Sequence, residues 1–156
     1  SMRADFMNYY TRFCPQGECA SLDYIGPKAK EIDSLISEIA EEITKTRRKE
    51  QQRGYTLIGP HRDDVLFRIN GQPADEFASE GQLKSVLIAW KLTESRFINR
   101  EWKNQPILLL DDIFSELDSS RIDHLMESIT EFDQVITTTP RDIGLEGLGV
   151  FERICF

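Results

Sequence analysis

An α/β layer architecture is what the sequence predicts, and three observations carry it. Strand-like and helix-like stretches alternate along most of the chain, the pattern of layered α/β folds. Ile107 to Leu110 are apolar without alternation, as in a strand covered on both faces of a mostly parallel sheet. That run stops abruptly at Asp111 and Asp112, and the open edge beyond the strand ends is where ligands sit in such sheets.

The elements follow in order. Residues 3 to 13 are aromatic-rich and read as the tail of a helix, broken by Pro15 and Gly17. Ala20 to Ile25 is a short strand. Pro27 and Gly54 bracket a helix in the usual order of proline at the start and glycine past the end. Ile32, Leu35, Ile36, Ile39 and Ile43 form an apolar stripe over its first half. Lys45, Arg47, Arg48, Lys49 and Arg53 then face a single acid, Glu50. These cations either complement the helix dipole as a solvated end or contact nucleic acid or another partner. Tyr55 to Gly59 and Val65 to Ile69 read as two strands, the second closing on an Asn70-Gly71 turn. From about Gly81 to Lys103, Leu83, Val86, Leu87, Trp90, Phe97 and Ile98 recur at helical spacing and are expected to face the core. After strand 106–110 come a helix from Ser119 to Phe132, a strand from Gln134 to Thr137, and a last strand around Val150 to Phe156.

Composition narrows the function. At 156 residues, 40% of them hydrophobic, the chain can bury one sizeable core and carry a small appendage. A formal charge of −8 argues against tight phosphate-backbone binding by the polypeptide as a whole, though not against a local basic patch. Cys14, Cys19 and Cys155 are odd in number and lack paired zinc spacing. Reduced thiols in a cytoplasmic protein are therefore expected, with Cys14 and Cys19 as half a metal site the alternative. Neither a signal peptide nor an apolar run near the ~20 residues of a membrane span is present, so no membrane partner is expected. Ser1-Met2 reads as a cloning remnant, with the sequence expected to begin inside a longer protein.

Three motifs carry chemistry, and each has a plain structural reading beside the functional one. Burying an unpaired charge costs several kcal/mol, so Asp111 and Asp112 at a buried strand's end imply a metal ion, a shared proton or a ligand. Functionally this is a Walker B strand, with Asp111 holding Mg²⁺ and Asp112 orienting the attacking water. Otherwise it is a buried strand running into an acidic turn. Ser79-Glu80-Gly81-Gln82 has capping-box spacing. A cap does not need Gly81, however, which costs about 0.5–1 kcal/mol relative to alanine in a helix. A bare N–H beside a hydroxyl at a helix start is a phosphate receptor. Ser115-Glu116-Leu117-Asp118 precedes the next helix, with Asp118 as its N-cap. Gly59-Pro60-His61-Arg62-Asp63-Asp64 is a dense polar cluster, by itself a charged loop with internal ion pairs.

Taken in order, these motifs resemble the C-terminal half of an ABC-type ATPase: signature motif, Walker B strand, D-loop. They are most similar to the RecF family of bacterial DNA gap-repair ATPases. The resemblance runs over roughly Tyr55 to Thr139, through Gly59 to Asp64, Phe77 to Gln82, Leu108 to Asp112 and the Thr137-Thr138-Thr139 run. Asp112 fits that family where most ABC ATPases have Glu, and threonines stand where transporters carry a switch His. The resemblance implies an ABC-type P-loop ATPase lobe at 55–156, preceded at 1–54 by the end of a helical second domain. It implies ATP and Mg²⁺ as cofactors, with Asp111 serving the metal and Asp112 the attacking water. Ser79, Gly81 and Gln82 would serve a nucleotide held by a second subunit, and Asp118 the dimer contact. It further implies an ATP-dependent homodimer on double-stranded DNA near single-strand gaps, assisting RecR and RecO in loading RecA, with links to replication, recombination and the SOS response. No Gly-x-x-x-x-Gly-Lys-Ser/Thr loop occurs, so half of the nucleotide site is missing and the chain alone is expected to be inactive. Chromosome-maintenance ATPases with long coiled-coil arms are a rival, but Pro27 to Gly54 spans only about 40 Å. A non-catalytic module that keeps these motifs as caps and turns is another.

Overall fold

The protein is described here by a computed structural model, which covers residues 1–14, 17–27 and 31–140. By packing it divides into two units: Ser1–Leu22 with the chain from Phe67 onward, and Asp23–Leu66.

In the first unit, helix α1 (Met2–Phe13) lies against α4 (Glu80–Trp102) and α5 (Ser119–Ile129). Phe6, Tyr9, Tyr10 and Phe13 of α1 are buried together with Val86, Ala89, Leu92, Phe114, Leu125 and Ile129. Phe67 adds a ring 5.2 Å from Phe6 and 5.5 Å from Trp90, spacings at which offset and edge-on ring pairs are favourable. The buried face of α4 is Ser85, Val86, Ile88, Ala89, Leu92 and Thr93, whereas Leu87 is 57% exposed. The largest apolar residues of α4 do not by themselves mark its buried face. The observed face is built partly from small and hydroxyl-bearing ones, whose polar atoms are satisfied within the helix: Ser85 donates to the Gly81 carbonyl at 2.9 Å and Thr93 to the Ala89 carbonyl at 2.7 Å.

Strands β4 (Leu108–Asp111) and β5 (Val135–Thr138) pair in parallel, with Leu108 opposite Val135 and Asp111 opposite Thr138. Helix α5 is the crossover between them, a βαβ unit. It ends at Ile129 rather than Phe132. The expectation of a strand buried on both faces is only half met. Leu108 and Leu110 are buried, but Leu109 is 69% exposed and Ile107 and Ile136 are exposed beside it. Among the described residues, one face of the parallel pair is buried at Leu108 and Leu110 and the other is exposed at Leu109 and Ile136.

A three-stranded sheet has the order β1 (Ala20–Ile25), β2 (Asp64–Ile69), β3 (Gln72–Pro73). Asn70 and Gly71 both take positive φ, 50° and 82°, which a two-residue type I′ hairpin turn requires. Asn70 also clasps the start of β1, donating its N–H to the Cys19 carbonyl and accepting the Cys19 N–H on its side chain. A four-residue helix, α3 (Ala74–Phe77), leads into α4. Cys14 and Cys19 are free thiols; Cys155 and the strand expected around Val150 to Phe156 lie outside the described residues.

In the second unit, α2 (Ile32–Arg53) starts after its N-cap Glu31, later than Pro27, and it stops at Gly54, which takes the left-handed region, where the sequence placed its end. No residue of α2 is buried. The strand expected over Tyr55 to Gly59 is absent. Its backbone groups are taken by side chains instead: the Leu57 N–H donates to Glu50, and the Thr56 carbonyl accepts two bonds from the Arg62 guanidinium. A chain whose polar groups are satisfied locally has no need of a ladder partner.

A charge network joins α1, α4 and the residues after α5. Arg12 bonds Glu131 at 2.6 Å, Tyr9 donates to Glu131 at 3.0 Å, and Arg96 lies 3.6 Å from both Glu131 and Asp5. Burial disfavours the ionised form of Glu131, but the hydrogen bonds from Arg12 and Tyr9 outweigh it and hold the carboxyl below its ordinary value of 4.5. A depressed carboxyl adds stability above its unfolded pKa, and this is lost as pH falls through the folded value. We therefore expect urea midpoints measured against pH to fall below about pH 4.5, and Glu131→Gln to flatten that acid limb. An identical limb in the variant would remove Glu131 from the acid response.

Candidate nucleotide and metal site

The acids at the end of β4 are arranged by β5. Because the strands are parallel and in register to their last residues, Thr138 stands opposite Asp111. Its hydroxyl donates to the Asp111 carboxylate in a short hydrogen bond. The Asp112 N–H reaches both the carbonyl and the hydroxyl oxygen of Thr138, each at 3.1 Å. Thr137 donates to the Leu110 carbonyl at 3.0 Å, so two hydroxyls stitch the strand ends together.

Asp112 itself is held by its backbone. It sits in the left-handed region at φ 47°, ψ 34°, at the start of a 3₁₀ turn over Ile113–Glu116, and its carbonyl accepts from Ser115 at 3.0 Å. Asp and Asn enter this region far more readily than longer side chains do. That gives a local reason for Asp at this position.

Both carboxylates are exposed, which corrects one premise of the sequence reading. The cost of burying a charge does not explain them, since neither is buried. What remains is placement: two acids at the carboxyl edge of a parallel sheet, one of them fixed by a hydroxyl. Among the described residues no group of three His, Cys, Asp or Glu could cage a metal ion. Mg²⁺ does not need such a cage. It keeps most of its waters and is bound by one or two carboxylates together with substrate phosphates, and Asp111, exposed and oriented by Thr138, is a donor of that kind.

At the start of α4 the capping box is complete. Ser79 accepts from the Gln82 N–H at 3.3 Å, and the Gln82 side chain accepts the Ser79 N–H at 2.8 Å. Gln82 also donates to Glu18 at 2.9 Å, and Glu18 accepts from Tyr10 at 3.0 Å. Glu18 escaped the sequence reading, since nothing about an acid between Gly17 and Cys19 marks it as a partner of a helix start sixty-odd residues on. Gly81 lies in the first turn, and Ser79 is exposed. Asp118 caps α5, accepting the Arg121 N–H at 3.0 Å. Among the described residues no hydrogen bond or ion pair links the Ser79 group to the Asp111 group.

The Gly59 to Asp64 cluster forms a tight loop of the second unit. His61 bonds Thr56 at 2.9 Å, Tyr24 donates to Asp63, and the Arg62 guanidinium lies over the Tyr55 ring at 5.2 Å. Gly59 is required there: its φ is 136°, and a Cβ would come within 2.9 Å of the His61 ring. Among the described residues, hydrogen bonds and a guanidinium over a ring hold the loop, and no ion pair within Gly59 to Asp64 joins them.

A parallel βαβ unit with acids at its carboxyl edge, behind a Ser-x-Gly-Gln helix start and before a capped D-loop helix, defines the C-terminal lobe of an ABC-type ATPase head. No family model matches the sequence. The chain is 48% identical over 101 residues to the DNA replication and repair protein RecF of Geotalea daltonii, covering 64% of this chain and 28% of that protein. It is 40% identical over 126 residues to RecF of Bacillus velezensis, covering 81% of this chain and 34% of the relative. A solved structure of the recombination mediator protein RecF with ATP, in the RecFOR pathway, superposes with a TM-score of 0.68 at 25% identity over 91% of this chain and 39% of the other. The chain belongs to the RecF family, and it spans about a third of the length of these relatives.

Proposed function

We propose that this chain is the C-terminal part of a DNA-binding ATPase that closes as an ATP-bound homodimer on double-stranded DNA near single-strand gaps. With RecR and RecO it then helps to load RecA in recombinational repair in the cytoplasm. The observation that carries the reading is the 40–48% identity to proteins of DNA replication and repair, over a chain whose acids lie at a parallel sheet's carboxyl edge.

In this reading 55–156 complete the ATPase lobe and α2 ends a helical domain, while α1, packed on α4 and α5, goes with the lobe although the sequence grouped 1–54 together. The exposed face of β4 and β5, with Leu109 and Ile136, is covered by the lobe's other half, which also brings the phosphate loop. Asp111 holds the metal, which when bound offsets the polyphosphate charge. Asp112 orients the attacking water. Ser79, Gly81 and Gln82 meet the γ-phosphate of the partner's nucleotide at the N-terminus of α4, where backbone N–H groups and the helix dipole favour an anion. Asp118 lies at the dimer contact.

Sedimentation of the intact protein tests this. It should run as a monomer without nucleotide and as a dimer with Mg-ATP, while calorimetry on the 156-residue chain alone should find no micromolar ATP binding. An intact protein that stays monomeric with Mg-ATP, or a lone chain that binds ATP at micromolar concentration, overturns the reading.

A further inference from the structure

The nucleotide site leaves the basic end of α2 unused, and the helix dipole does not account for it. That dipole acts within the last turn, where the cation is Arg53; Lys45, Arg48 and Lys49 stand before it. Lys45, Lys49 and Arg53 are spaced i, i+4, i+8, so each adjacent pair sets like charges side by side and weakens the helix. The one acid in this stretch does not relieve them, because Glu50 accepts the Leu57 N–H at 2.6 Å. Lys45 pairs with Glu41 at 2.6 Å, and among the described residues Arg48, Lys49 and Arg53 make no ion pair.

The centre of the basic arc is turned away from the apolar stripe, and the two meet only at the edge, where Arg53 is level with Leu35 five turns before it. At 3.6 residues per turn, Lys45, Arg48, Lys49 and Arg53 share an arc centred about 120° around the axis from the stripe of Ile32, Leu35, Ile36, Ile39 and Ile43. Whatever covers the stripe leaves the cations in solvent, where all four are exposed. Arg47 projects from nearly the opposite side. Between Lys45 and Arg53, Gln52 is the only other residue on the basic arc, which the acids Glu38, Glu41 and Glu42 bound on the N-terminal side; this stretch of the face offers no apolar or aromatic anchor of the kind that centres a protein interface.

We infer that this face of α2 grips the phosphate backbone of double-stranded DNA. Lys45 to Arg53 rises about 12 Å along the helix, the axial rise of three to four phosphates of one strand at about 3.4 Å each. The chain carries −8 overall, so within it a concentrated basic face is where a duplex would be attracted. The inference rests on the DNA-binding reading above and adds the surface that makes the contact.

Fluorescence-polarisation titrations of the intact protein with a labelled duplex, from 50 to 200 mM salt (about the range over which phosphate contacts dominate), test it. The variant Arg48→Gln, Lys49→Gln, Arg53→Gln keeps good helix formers at exposed positions. Its slope of log affinity against log salt should fall by about 2–3, with affinity near physiological salt lower by on the order of 10²-fold. Arg47→Gln should leave the slope unchanged. A triple variant with the wild-type slope, or one whose affinity falls without any change in slope, overturns the inference and leaves DNA binding to another surface. The same holds if the triple variant keeps its duplex affinity and loses an acidic protein partner instead. A wild-type protein that does not bind the duplex even at the lowest salt overturns the DNA-binding reading together with the inference.

Discussion

Asp112→Asn in the intact protein should bind Mg-ATP as the wild type does and hydrolyse it slower by about 10²–10⁴-fold, the span usually lost with a positioned acid–base group. The structure makes this a clean substitution. Every bond that anchors residue 112 is a backbone bond, from its N–H to Thr138 and from Ser115 to its carbonyl. Asparagine tolerates the left-handed conformation at φ 47° as well as aspartate does. What changes is the charge and basicity of one exposed side chain. With hydrolysis blocked, ATP-held dimers should live longer and leave DNA more slowly. Asp111→Asn should behave differently, weakening Mg-ATP binding itself, because the proposed ground-state metal contact loses its charge while the amide oxygen can still accept from Thr138. Single-turnover hydrolysis measured beside dimer lifetime separates the two. Wild-type turnover in Asp112→Asn would leave Asp112 as a turn residue chosen for its backbone.

The sequence made the βαβ unit legible because its signals were local: an apolar run, two acids, a helix cap and a second run. It even carried the hint of Thr138, since a threonine run ends the strand parallel to the one that ends in acids. What turned that hint into a contact is the register, Asp111 opposite Thr138, and register is a property of two strands that neither one displays alone. The left-handed backbone of Asp112 was hidden for a similar reason, being set by the bonds Thr138 and Ser115 make to it. Tyr55 to Gly59 misled in the other direction. Its composition suits a strand, but Glu50 and Arg62, lying to either side in sequence, capture its backbone groups first. On α4, Leu87 was mistaken for core because hydrophobicity outweighed position, when the face against the core is set by Ala89, Leu92 and Thr93.

Ser79→Asp offers the sharpest separation of cap from phosphate receptor. The capping box is fully formed, and it would be enough to explain both Ser79 and Gln82 if nothing else touched them. Aspartate caps a helix about as well as serine and adds a charge the dipole welcomes. The variant's urea midpoint should therefore stay within about 0.5 kcal/mol of wild type, the spread of ordinary surface substitutions. A γ-phosphate from a second subunit would instead meet a carboxylate. Like charges a few ångströms apart in a closed interface repel by several kcal/mol, on the order of 10²-fold or more in dimer affinity. Nucleotide affinity of the monomer should hardly move if, as proposed, the serine serves the partner's nucleotide. Sedimentation with Mg-ATP, read beside the urea midpoint and the monomer's ATP affinity, gives the decision: unchanged stability and ATP binding with dimers lost supports the trans contact, and ATP-dependent dimers of wild-type strength would reduce Ser79 to a helix cap.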